Sequence, residues 1–178
     1  LFVLGGLAAF DPAPATGSHV NRADATRITA AVLTASDRRV RTNDARIGML
    51  LTQGVRRSAT FASLVSALSA TDVIVYIEPV RSLPSLTSGR LLLISQAQTA
   101  QRYLRIQVLG QMPANDLIST IGHELQHALE VAAATEVQDQ PGLERLYRQI
   151  GQTGAIKQSY DTAAAQAAGR RIRLELAG

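Results

Sequence analysis

Residues 123–127 read His-Glu-Leu-Gln-His, an HExxH pattern. Two histidines four residues apart share one face of a helix, where each can offer an imidazole nitrogen to the same metal ion. The glutamate beside the first histidine reaches water at that ion without ligating it, which suits a general base. Two of the chain's three histidines fall in this pattern. With no cysteine present, thiolate zinc sites, iron–sulfur clusters, disulfides and cysteine nucleophiles are excluded. A transition metal must here be held by histidine, carboxylate or water.

The pattern needs a helix to carry it, and the flanking residues provide one. Pro113 suits the first turn of a long helix running to about Ala134. Leu117, Ile121 and Leu125 recur every four residues, and Ile118 and Leu129 widen the stripe. His123 lies two residues from both Ile121 and Leu125, about 200° around the helix. The stripe therefore faces a core and the histidine pair faces a cleft.

Other elements must form that core. Asn43 or Asp44 can cap a helix bearing Ile47, Leu50, Leu51 and Val55, and Ser58 or Thr60 opens a second with Phe61, Leu64, Val65 and Leu68 on one face. Strands are predicted over Asp72–Glu78, Arg90–Ser95 and Arg102–Leu109, with a loop from Pro79 to Gly89. Connections of about six to eleven residues suit antiparallel neighbours. Helical stretches follow near Leu143–Ile150 and Tyr160–Leu176, separated by Pro141-Gly142 and by Gly151 to Gly154. Segment 23–35 is ambiguous, its alanines favouring helix and Ile28, Thr29, Val32 and Thr34 favouring strand. The expectation is one α+β domain.

At 178 residues, with 46% hydrophobic and 18% charged positions, the chain suits a single packed domain. Residues 1–16 (LFVLGGLAAFDPAPAT) read as the remnant of a secretory signal peptide, with the domain spanning 17–178 and an exported location, periplasmic or secreted. No apolar run reaches the roughly 18–20 residues of a membrane span. The net charge of +4 is carried almost wholly by arginine, densest at Arg38-Arg39-x-Arg41 and Arg170-Arg171-x-Arg173. Scattered arginines, few aromatics and no tryptophan fit solvated surface charge rather than a nucleic-acid interface.

The HExxH helix resembles the active-site helix of the zincin metallopeptidases. The string GHELQHALEV is similar to a group of small, uncharacterised exported bacterial proteins with a zincin-like signature. The motif covers five residues and the looser likeness roughly Asp72 to Leu176. It implies a zincin-like α+β fold: a small, mostly antiparallel sheet, a long HExxH helix and flanking helices. It also implies an edge strand that binds extended substrate antiparallel, for which Arg102–Leu109 is the matching segment.

The resemblance further implies a third protein ligand. The metzincin extension is absent, since Glu130 stands at its glycine position, and the cysteine ligand of peptide deformylases has no counterpart. His19 lies far upstream in a loop. A downstream carboxylate remains, as in gluzincin- and aspzincin-like enzymes: Glu130, Glu136, Asp139, Glu144 or Asp161. Glu130 is i+7 from His123, and Cα atoms so spaced are about 10 Å apart. That suits orienting a histidine ring, or a merely solvated carboxylate. Asp161 precedes the alanine-rich run Ala163-Ala164-Ala165, where small residues permit close approach; it reads as ligand or as a helix-capping acid. The family pattern usually has glutamate there with a second acid, which this chain lacks. Tyr147 and Tyr160 carry hydroxyls that could face an oxyanion, or could simply pack.

The expected function is a zinc-dependent, peptidase-like hydrolase, with Zn²⁺ held by His123, His127 and Asp161, Glu124 as general base, and a peptide or protein substrate. The alternative is a non-catalytic zincin-like domain that binds metal or a partner.

Overall fold

The computed structural model describes residues 39–84, 87–94, 101–150, 152–153 and 160–178. The signal-peptide remnant, His19 and segment 23–35 lie outside the described residues.

Strand β1 (Val40–Arg41) leads into helices α1 (Ala45–Arg57) and α2 (Ala59–Ser69). Asp44 caps α1 by accepting from the Ile47 N–H at 2.9 Å, and Ser58 caps α2 by accepting from Phe61 N–H at 3.0 Å. Ile47, Leu50 and Val55 of α1 and Phe61, Leu64, Val65 and Leu68 of α2 are buried, as their helical spacing requires. Strands β2 (Val73–Val80), β3 (Gly89–Ile94) and β4 (Arg102–Leu109) follow, then the long helix α3 (Ala114–Ala133) and helix α4 (Gln140–Ile150). A two-stranded pair, β5 (Gln152–Thr153) with β6 (Tyr160–Asp161), precedes α5 (Ala163–Ala177). Leu117, Ile118, Ile121 and Leu125 of α3 are fully buried in a core shared with Val75, Ile77, Leu104, Ile106 and Val108 of the sheet.

The architecture is α+β, but the sheet is mixed rather than mostly antiparallel. Its order is β1-β2-β4-β3; β1 and β4 both run parallel to β2, and only β3 is antiparallel to its neighbour β4. The short connections do reverse the chain at each step, yet β4 inserts between β2 and β3. Consequently β4 is an interior strand, and β3 is an edge strand. The alternation of β4 reports one covered and one wetter face, which an interior strand in a sheet covered on one side shares with an edge strand. Further boundaries shift. Strand β2 continues through Pro79, Pro141-Gly142 lies inside the first turn of α4, and α5 starts at Ala163 with Thr162 as its cap.

One buried cation joins the sheet to α3. Arg102 opens β4, is 5% exposed, and forms a bidentate pair with Asp72, both contacts at 2.8 Å. Its guanidinium also donates to the carbonyls of Val131, Ala132, Ala134 and Val137. These include carbonyls that the end of a helix leaves without partners. The hydrogen bonds to Arg102 hold the Asp72 carboxyl below the usual carboxylate range.

At the opposite end of the molecule, Glu175 of α5 accepts from Ser58 Oγ (2.5 Å), Thr60 N–H (3.1 Å) and Thr60 Oγ1 (2.8 Å), placing an anion at the N-terminus of α2. Burial alone would raise this carboxyl, but those hydrogen bonds and Arg171 pull it down to about 2.

Two outcomes follow from these contacts. Arg102→Leu leaves Asp72 and four main-chain carbonyls at and beyond the end of α3 without this partner and is expected to cost about 3–5 kcal/mol in urea unfolding, with Arg102→Lys recovering only part. Glu175 has a depressed folded pKa, so its stabilisation is complete above the ordinary value of 4.5 and is lost as pH falls towards about 2. The melting-temperature gap between wild type and Glu175→Gln should therefore close over that interval; a gap independent of pH would contradict it.

Candidate metal centre

Helix α5 runs antiparallel to α3 and touches it turn by turn. Ser119 Oγ donates to the Gly169 carbonyl at 2.8 Å. A Cβ at Gly122 would collide with Ile172 Cδ1, so the two helices meet at the residue just before His123. This seat carries Asp161, immediately in front of α5, to the histidine pair of α3.

Asp161 Oδ1 lies 3.3 Å from His123 Nε2 and 3.7 Å from His127 Nε2. One ligand atom from each of these three residues falls within 4.8 Å of the other two. Asp161 Oδ1 is buried and accepts no hydrogen bond from the described residues, whereas Oδ2 accepts from Gln166 Nε2 at 3.1 Å. Two imidazole nitrogens and an unpartnered carboxylate oxygen converging on one point form a donor set that fits a zinc ion.

The outer contacts fix the rings. His127 Nδ1 and Glu130 Oε2 are 2.8 Å apart, so the ring donates through Nδ1 and, when neutral, turns the Nε2 lone pair towards Asp161. Glu130 Oε1 in turn accepts from Thr162 Oγ1 at 2.6 Å, and Thr162 Oγ1 caps α5 by accepting from Ala165 N–H at 3.1 Å. Tyr147 packs edge-on against His127, with ring centroids 5.2 Å apart, and donates its hydroxyl to the His127 carbonyl at 3.3 Å.

Burial pushes the Glu124 carboxyl up to about 7; His127 pulls it back and Asp161 adds to the rise. Burial would lower His127, but the Glu130 hydrogen bond and the carboxylates of Glu124, Glu130 and Asp161 raise it above the ordinary imidazole value. His123 is lowered, first by burial and then by His127. A carboxyl poised near neutrality can both take and return a proton.

His123, Glu124, His127, Tyr147, Asp161 and Gln166 line one cleft of about 960 Å³ between β3, α3, α4 and α5. At Gly89 the β3 backbone meets Glu124 directly, since a Cβ there would sit 2.8 Å from Glu124 Oε1 and from Thr120 Cγ2. Ser88 accepts from Leu109 N–H, so the register turns the N–H and C=O of Gly89 and Leu91 away from β4, towards the open edge. Leu93, the next residue of that set, has its N–H bonded to Gln140 Oε1 at 3.3 Å.

The sequence candidates separate cleanly. His123, Glu124, His127 and Asp161 come together, with Glu130 behind His127. Asp161 is neither cap nor first-turn acid, because Thr162 takes the cap. Glu136 is exposed, Asp139 Oδ1 accepts from Gly142 N–H at 2.7 Å, and Glu144 faces Arg148 at 3.8 Å on the cleft rim. The side chain of Tyr160 is outside the described residues. Gly89, Thr162 and Gln166 were not singled out by the sequence; only their tertiary contacts reveal them. No protein-family model, curated protein or solved structure matches the chain.

Proposed function

We propose that this protein is a zinc-dependent, peptidase-like hydrolase of zincin type. The observation that carries the reading is the buried, unpartnered Asp161 Oδ1 facing the Nε2 atoms of both HExxH histidines. A buried carboxylate oxygen without a partner is costly, and a cation there removes the cost. His123, His127 and Asp161 would hold the ion. When bound, zinc supplies Lewis acidity that acidifies water and polarises a peptide carbonyl.

The chain's own residues supply the remainder. Glu124 accepts a proton from the attacking water and returns it to the leaving nitrogen. Glu130 and Thr162 hold His127 in one tautomer, and Gln166 keeps the Asp161 carboxylate turned towards the histidines. The open edge at Gly89 and Leu91 suits an extended peptide added antiparallel to β3, beside Glu124. An antiparallel edge strand next to an HExxH helix supports the zincin-type reading, with β3 in the place the sequence reading gave to β4. No helix among the described residues is long and apolar enough to cross a membrane.

A second reading, a domain that holds metal without turnover, has one observation in its favour. The Tyr147 hydroxyl, a candidate oxyanion donor, is engaged by the His127 carbonyl.

Bound zinc measured after dialysis, with peptide-library cleavage measured in parallel, tests both readings. Wild type and Glu124→Gln should each bind one zinc, and only wild type should cleave. Zinc in both with cleavage by neither would favour the second reading, and zinc in neither would remove the site. Glu130→Gln should weaken zinc affinity by about 10–100-fold, and Asp161→Ala by more. Unchanged affinity in Asp161→Ala would exclude it as a ligand.

A further inference from the structure

The dense basic group Arg170-Arg171-x-Arg173 has no part in the chemistry above, and α5 divides it. Arg171 turns to Glu175 at 3.2 Å, whereas Arg170 and Arg173 line the cleft. Among the described residues Arg170 has no carboxylate partner; it donates only to the Gln166 amide oxygen at 3.4 Å. Arg173 lies 3.3 Å from Asp116, but both side chains are more than 40% exposed, and such a pair contributes little. Outside the metal-centre residues, the only acid lining the cleft among the described residues is Glu144, which already faces Arg148 on the α4 wall. The α5 wall thus presents two guanidinium groups whose one carboxylate partner among the described residues is the exposed Asp116.

The contacts also orient that wall. Along α3, Asp116 meets Arg173, Ser119 meets Gly169, and His127 meets Asp161. Both arginines therefore lie beyond the metal centre, towards the start of α3. Strand β3 runs the same way as α3: Gly89 abuts Thr120 and Glu124, while Leu93 is bonded by Gln140, past the end of α3. A peptide antiparallel to β3 must then direct its C-terminal half towards Gly89 and towards Arg170 and Arg173.

We propose that Arg170 and Arg173 form a carboxylate-binding subsite for the C-terminal side of an extended peptide substrate. The inference rests on the peptide-hydrolase reading and adds a substrate class to it. The carboxylate can come from an aspartate or glutamate side chain or from the peptide's own C-terminus. A guanidinium matches either through paired, charge-assisted hydrogen bonds.

The test is binding, not turnover. Short fluorescent peptides carry aspartates or asparagines in their C-terminal half, each with a free or an amidated C-terminus, and are titrated into zinc-loaded Glu124→Gln protein. At low salt at least one carboxylate source should tighten binding about tenfold over the amidated asparagine peptide, and the advantage should shrink as salt rises. Whichever source gives the advantage identifies the natural carboxylate. Moving the aspartates to the N-terminal half should abolish their effect. The double variant Arg170→Gln/Arg173→Gln should lose the advantage while keeping its melting temperature and its affinity for the amidated asparagine peptide; Arg148→Gln should retain it. Equal binding of all four peptides, or an advantage that survives the double variant, would overturn the subsite. A protein that shows the preference but cleaves nothing contradicts the hydrolase reading and leaves the subsite standing.

Discussion

The close seat of α5 on α3 is the constraint on which the site depends. It is made where side chains are small, with Gly122 receiving Ile172 and Ser119 bonding the Gly169 carbonyl. Interiors packed at this density do not deform gradually. A slip of α5 by one turn, about 5.4 Å, would remove Asp161 from the histidines, Thr162 from Glu130 and Gln166 from Asp161 together. One helix contact therefore sets a carboxylate ligand candidate, two outer-contact residues and a basic cleft wall.

Two buried ionic groups show how structural and functional charges differ in this fold. Arg102 is nearly inaccessible and fully engaged, by Asp72 on one side and four main-chain carbonyls on the other. Its charge is balanced, so it serves as a joint between β4 and the end of α3. Asp161 Oδ1 is buried without a hydrogen-bond partner among the described residues, beside two imidazoles and a glutamate whose carboxyl is lifted to about 7. Such unbalanced burial concentrates at sites of chemistry.

Much of this was legible in the chain because it is local. The caps at Asp44 and Ser58, the span of β4, and the apolar stripe of α3 with the histidines opposite it follow from side-chain type and spacing. Asp161 was legible as one of several acids, and the alanines after it pointed to a close helix. Sheet order was not, because strand alternation reports which faces are covered and not which neighbour lies alongside. Hence β4, read as an edge strand, lies inside the sheet, and β3 stands at the edge beside the HExxH helix. Gly89, Thr162 and Gln166 carried no signal, since each acquires its role only from a contact made at long sequence separation. Arg102 read as one more solvated arginine, although its place in the alternation of β4 turns it to the buried face.

Zinc K-edge X-ray absorption on protein loaded with one equivalent of the metal tests the central claim most directly. Two imidazole nitrogens with oxygen donors, all at about 2.0–2.2 Å, are expected for wild type, with one oxygen contribution altered in Asp161→Ala. A spectrum without imidazole scattering, or one that Asp161→Ala leaves unchanged, would contradict a centre built from His123, His127 and Asp161.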